Sequence, residues 1–227
     1  MPIRAVIFDL GGVVMPSPLD VFRAYEARHG LPHRFISDVV VAGGDHGAWS
    51  RLERGELDPD GFATAFEAEC ANAGGQVSVP ALLEAIAAGP DPHPEMLDAL
   101  RRIRARGLLT AALTNNWATR DGDRSGTRVA GLGSYFDVVV ESAVEGLRKP
   151  DPRIYELTCA RLDVGPDEAV FLDDLGVNLK SARALGMTTI KVSDVQGALD
   201  ELASILGFAL ADGAVAAPDS STRDAAR

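Results

Sequence analysis

The chain alternates short, almost wholly apolar runs with longer stretches in which apolar residues recur at helical spacing. Ala5-Val6-Ile7-Phe8 is the first such run. Leu109 to Leu113, Phe136 to Val140, Ala169 to Leu172 and Thr188 to Val192 follow, each short enough for a strand. Phe136 to Val140 and Ala169 to Leu172 are apolar nearly throughout, the pattern of strands covered on both faces. Between them lie helical patterns. From Pro94 to Gly107, Met96, Leu97, Leu100 and Ile103 form one face, arginines cover the other, and Gly107 supplies the stop. Arg153 to Leu162, Leu179 to Leu185 and Leu199 to Leu206 also carry apolar stripes, with Gly186 and Gly207 as stops after the last two. Strands alternating with helices predict a Rossmann-like α/β core with a parallel sheet and right-handed crossovers.

One interval breaks the alternation. From the first strand to the helix at Pro94, about eighty residues show only helical periodicity, far too many for a loop. Val21 to His29, Phe35 to Val41, Gly61 to Ala71 and Pro80 to Ala87 predict a helical bundle, a cap inserted over the strand ends that closes on a ligand and excludes water. The expected division is a core of residues 1–15 and 93–208 and a cap of 16–92. Residues 209–227, small and polar with Pro218, are expected to form a disordered tail.

Composition narrows the choice of partner. At 227 residues and 46% hydrophobic content the chain has material for one core plus an insert. A formal charge of -11 argues against nucleic acid, whose binding depends on Lys and Arg neutralising phosphates. Cys70 and Cys159 have no partners at metal or disulfide spacing and read as two free buried thiols. The first apolar run breaks at Asp9, too soon for a signal or membrane segment. No membrane partner is expected, the location is expected to be cytoplasmic, and the oligomeric state is left as monomer or homodimer.

The polar residues at the ends of the apolar runs carry the chemistry. Asp9 ends the first and is followed by Gly11 and Gly12. Thr114 and Asn115 follow Leu113, Lys149 stands before Pro150 and a helix, and Asp173-Asp174 follow Val170-Phe171-Leu172. In open α/β sheets ligands bind at the carboxyl ends of the strands, so these groups can meet in one crevice. Asp9 is placed as a nucleophile, Lys149 as the cation for a phosphoryl group, and Thr114 and Asn115 as hydrogen-bond donors to it. Adjacent side chains leave a strand on opposite sides, so Asp174 is chosen over Asp173 as a direct metal ligand. Asp9, the Gly11 carbonyl and Asp174 would offer Mg²⁺ its oxygen ligands, and Gly12 lets the backbone approach the ligand closely.

These residues carry a resemblance. Phe8-Asp9-Leu10-Gly11-Gly12-Val13, Leu113-Thr114-Asn115, Arg148-Lys149-Pro150-Asp151 and Phe171-Leu172-Asp173-Asp174 resemble the four motifs of the haloacid dehalogenase-like hydrolase superfamily, over nearly the whole chain to about Phe208. More narrowly the chain resembles the phosphatase domain at the N-terminus of soluble epoxide hydrolases, and bacterial sugar-1-phosphatases that share Glu53-Arg54-Gly55-Glu56. The resemblance implies a Mg²⁺-dependent hydrolase of small phosphorylated metabolites working through an aspartyl-phosphate. In it Asp9 is the nucleophile, Thr114 and Asn115 bind phosphate, Lys149 steadies charge, and Asp174 holds the metal with Asp173 beside it. Gly11 stands where such phosphatases usually carry an acid/base aspartate. A positioned acid/base group is worth about 10²- to 10⁴-fold, so slow or leaving-group-selective turnover is expected. Two other readings follow from the same glycine: carbon–halogen hydrolysis without metal, and a phosphate-binding regulatory module without turnover.

Overall fold

The computed structural model describes residues 2–118 and 131–210. The stretch from Arg120 to Arg128, whose polar, glycine-containing sequence reads as a loop, lies outside them. Five strands form one parallel sheet: β1 (Ala5–Phe8), β2 (Leu109–Thr114), β3 (Val138–Glu141), β4 (Ala169–Asp173) and β5 (Thr188–Lys191), in the order β3-β2-β1-β4-β5. β1 lies at the centre. Phe8 pairs with Ala112 on one side and Leu172 on the other, so the chain positions just after these residues emerge together along one edge.

Helices cover both faces. The helices are α1 (Pro18–His29), α2 (Phe35–Gly43), α3 (Ala48–Glu53), α4 (Pro59–Asn72), α5 (Val79–Ala87), α6 (Pro94–Ala105), α7 (Ser142–Glu145), α8 (Pro152–Leu162), α9 (Gly176–Ala184) and α10 (Val195–Leu206). Alternation along β1 sends Val6 and Phe8 to a cluster with Met96 and Leu100 of α6 and Leu199 and Leu202 of α10. Ala5 and Ile7 join Ile154 and Tyr155 of α8 and Leu179 of α9 on the opposite face. Every side chain of β1 is buried, and at about 1.5–3 kcal/mol per large apolar side chain this strand anchors both layers.

The third strand is covered on both faces, though incompletely: β3 is an edge strand in which Val140 is fully buried, Val138 packs partly buried on the same side, and Val139 packs partly buried against the α6 and α10 cluster. It also starts two residues later than expected, since Phe136 ends a 3₁₀ turn and the Asp137 carboxylate accepts from the Thr110 amide instead. α9 and α10 begin before their apolar stripes do. Their first turns face solvent at Val177 and, in α10, are fixed by Asp194 accepting from Gly197. Leu210, assigned from the sequence to the tail, is buried against the α6 side of the core, and residues 211–227 lie outside the described residues.

Helices α1 to α5 lie between β1 and α6 in the chain and have an apolar centre of their own. Trp49 is its hub, with ring centroids 5.2 Å from Phe22, 5.4 Å from Phe62 and 5.5 Å from Phe66. α3 carries this tryptophan and had no clear periodic signal, being only six residues long. The chain leaves and re-enters the core side by side, for the His93 amide donates to the Val14 carbonyl at 2.9 Å.

Candidate active site

Asp9 continues β1 by donating its amide to the Leu172 carbonyl at 2.9 Å, which brings its side chain level with the end of β4. Its carboxylate also accepts from the Leu10 amide at 2.6 Å. The chain then turns sharply. Gly12 has a φ of 80°, and a β-carbon there would stand 2.3 Å from Asp174 Oδ2, so conformation and space both demand glycine. The turn is closed by Met15 donating to Leu10 and Gly12 donating to Met15, bonds that bypass the Gly11 carbonyl. A β-carbon on Gly11 would meet Pro18 Cδ at 3.3 Å, so the space beside this glycine is occupied by the first residue of α1.

Lys149 is the pivot of the site. Its side chain is 1% exposed, and its Nζ stands 2.8 Å from Asp9 Oδ1 and 2.8 Å from Asp173 Oδ2. The lysine placed from the sequence as the cation for a phosphoryl group is thus wholly interior. Asn115 fixes its backbone from both sides: Oδ1 accepts the Lys149 amide at 2.9 Å and Nδ2 donates to the Lys149 carbonyl at 3.1 Å. The Asn115 side-chain amide is therefore engaged in holding the lysine segment. Thr114 is buried, with its hydroxyl making only a long 3.5 Å contact to the Asn115 carbonyl.

Asp173 and Asp174 divide as adjacent strand-end residues do. Asp173 is fully buried and accepts from Lys149, from Asn178 Nδ2 at 3.0 and 3.1 Å, and from the Leu175 amide at 2.7 Å. Asp174 is partly exposed, lies against Gly12, and accepts from the Ser17 hydroxyl. Ligand-capable oxygens of Asp9, Asp173 and Asp174 lie within 4.8 Å of one another.

One ammonium therefore meets two buried carboxyl groups, with a third, partly exposed, beside them. Burial pushes Asp9 up to about 8 despite the pull of Lys149, and burial followed by repulsion from Asp173 pushes Asp174 up to about 6. For Lys149 burial works downward, but Asp173 and Asp9 outweigh it and raise the lysine. The site is short of positive charge. An all-oxygen donor set with surplus negative charge and a bypassed carbonyl fits a hard divalent cation such as Mg²⁺.

Asn178, Ser17 and Arg148 also shape the site and were not singled out as functional residues. Asn178 and Ser17 sit in or beside helix first turns, where a polar residue reads as a cap. Only the contact with a carboxylate from another element distinguishes them.

Comparison with known proteins places the chain in a family. The family model described as haloacid dehalogenase-like hydrolase matches residues 3–186. Acyl-CoA dehydrogenase family member 10 of Mus musculus is 43% identical over 91% of this chain and 19% of its own length. Bifunctional epoxide hydrolase 2 of Sus scrofa is 34% identical over 92% of this chain and 40% of its own. The chain thus spans less than half of either protein. Sesquiterpene phosphatase astK of Aspergillus oryzae matches over 97% of its length at 27% identity. Among solved structures, a HAD-like family hydrolase from Porphyromonas gingivalis superposes with a TM-score of 0.66 over 91% of this chain and 98% of its own, at 21% identity. Among the described residues no helix is long and apolar enough to cross a membrane. With its four motifs gathered at one end of a parallel sheet, the chain belongs to the haloacid dehalogenase-like hydrolase family.

Proposed function

We propose that the chain hydrolyses phosphate monoesters or acyl phosphates of small metabolites by phosphoryl transfer to Asp9. The observation that carries this reading is Lys149 Nζ held 2.8 Å from both Asp9 and Asp173, with Asp174 beside them. An Asp9 oxygen attacks phosphorus, the bond from phosphorus to the leaving oxygen breaks, and its electron pair departs with that oxygen, which takes a proton from water. Water then attacks phosphorus of the aspartyl-phosphate, releasing inorganic phosphate and restoring the carboxylate.

Lys149 neutralises charge on the transferring oxygens, Thr114 and the main chain at Asn115 donate to them, and Gly12 lets the backbone approach them closely. Asp9, the Gly11 carbonyl and Asp174 would hold Mg²⁺, with Asp173 beside them. Bound there, the ion supplies further charge neutralisation at the phosphoryl group. Residues 16–92 act as a cap that excludes water while the intermediate exists. A phosphatase among the relatives supports this reading. No carboxylate stands at position 11, so substrates with good leaving groups, such as anomeric and acyl phosphates, are favoured.

Phosphate release from a panel of sugar-1-phosphates, acyl phosphates and ordinary monoesters, with Mg²⁺ or with EDTA, tests the proposal. Mg²⁺-dependent release, fastest for acyl and anomeric phosphates, is expected. Silence across the panel with intact, folded protein would overturn it.

A further inference from the structure

Arg148 immediately precedes Lys149, yet its guanidinium engages the helical insert. Its Nε donates to Glu53 Oε2 at 2.7 Å, and its Nη1 stands 3.9 Å from Asp45 Oδ1. Glu53 is the last residue of α3, and its second oxygen accepts from Trp49 Nε1 at 3.1 Å. Trp49 in turn packs edge-on against Trp117, two residues beyond Asn115, at 5.9 Å. The Glu53 and Arg148 side chains are 10% and 20% exposed, whereas the Arg23 and Asp20 pair on α1 is 57% and 60% exposed. A shielded pair is sensitive to loss of either partner, because the survivor is left desolvated and unmatched. Burial holds the Glu53 carboxyl above its ordinary range even against Arg148.

A second contact lies two residues on. Gly55 has a φ of 68°, and a β-carbon there would be 2.5 Å from the Ala143 carbonyl oxygen. The turn after α3 thus rests on the backbone of α7. Ser142 of α7 accepts from the Asn116 amide at 2.9 Å, next to the Asn115 that holds the Lys149 backbone. The insert meets the lysine segment from both directions, through the Arg148 side chain and through α7.

The geometry points to Glu53 as a positioning residue for phosphoryl transfer: its carboxylate clamps Arg148, fixes the segment that sets Lys149 between Asp9 and Asp173, and holds the insert against the strand ends. The kinetic half of this inference rests on the phosphatase reading above, whereas the clamp stands on its own.

Glu53→Gln, Arg148→Gln and the double variant test it, with hydrolysis of p-nitrophenyl phosphate in Mg²⁺ and amide hydrogen exchange as separate readouts. Each single change is expected to lower kcat by about tenfold or more, with KM within about threefold. The double variant is expected to be no worse than the weaker single, since both remove one interaction. Amides of residues 48–56 and 142–150 are expected to exchange faster, while those of β1 and β2 keep their protection. Glu53→Asp, which keeps the charge, is expected to recover most of both effects and guards against variants that merely misfold. Unchanged exchange in the single variants, unchanged kcat despite faster exchange, or losses that multiply in the double variant would each overturn the clamp. A wild type that does not turn over the ester in Mg²⁺ would remove the phosphatase reading and leave the exchange of the variants to decide the clamp.

Discussion

The strand ends and the helical insert are built on opposite principles. At the strand ends, Asp9, Asp173, Asp174 and Lys149 crowd ionisable groups where burial disfavours charge, an arrangement that costs stability and that the proposed function uses to bind a cation and a phosphoryl group. In the insert, Phe22, Trp49, Phe62 and Phe66 pack ring against ring, and the Glu53 carboxylate meets them at the Trp49 indole while paired with Arg148. The contrast teaches where each kind of damage should appear. Changes at the strand ends should remove chemistry and leave the fold, and changes in the insert should remove stability first.

Asp9→Asn breaks the comparison most directly. Turnover is expected to fall by more than about 10⁴-fold, because the nucleophile is gone. The unfolding free energy from urea titration is expected to stay within about 1 kcal/mol of the parent or to rise, since burial already disfavours charge on Asp9 and Asp173 still pairs with Lys149. A collapse of the fold would mean that Asp9 is chiefly the structural partner of Lys149.

Phe62→Ala is the counterpart in the insert. Phe62 is fully buried between Trp49 and Phe66, and its truncation is expected to cost about 3–5 kcal/mol in the same titration. Residual activity of the folded fraction is expected to fall far less than in Asp9→Asn. A cost under about 1 kcal/mol would show that the aromatic cluster is loosely packed.

The border between the two regions is sharpened at Gly11. Introducing the missing acid/base group as Gly11→Asp puts its β-carbon 3.3 Å from Pro18 Cδ, so the carboxylate is delivered only if the start of α1 moves. Little gain is expected from the single change, and up to about 10²-fold from Gly11→Asp with Pro18→Ala, on substrates with poor leaving groups. Equal gains from both variants would show that the start of the insert yields freely.

The smallest effect concerns the two thiols, one in each region. Cys70 and Cys159 are both buried, and burial pushes each up to about 11, so neither is expected to react with a thiol reagent near pH 7 in the folded protein. Faster labelling of Cys70 than of Cys159 would reveal the insert opening independently of the sheet.

The sheet was legible because four of its five strands are short apolar runs bounded by turn residues, and Asp9, Thr114 and Asp173 were legible because they terminate such runs. The role of Asn115 was not. A strand-end asparagine reads as a donor to ligand, and only the fold brings Lys149 within reach of both ends of its amide. Gly11 could be seen to lack a carboxylate, but the proline filling its space is seven residues away in sequence and is placed there by the turn at Gly12. α3 and α7 were missed because six and four residues are too few to establish a helical period, yet they carry the contacts that join the two regions.

The central claim is that Asp9 forms a covalent bond to phosphorus. Mixing the enzyme with Mg²⁺ and acetyl phosphate, quenching in acid within a turnover and reducing with borohydride would convert a phosphorylated Asp9 to homoserine, read by peptide mass spectrometry. Homoserine at position 9, dependent on substrate and absent in Asp9→Asn, is the expected result. Turnover under the same conditions with Asp9 unmodified, or with the label on another residue, would contradict the account.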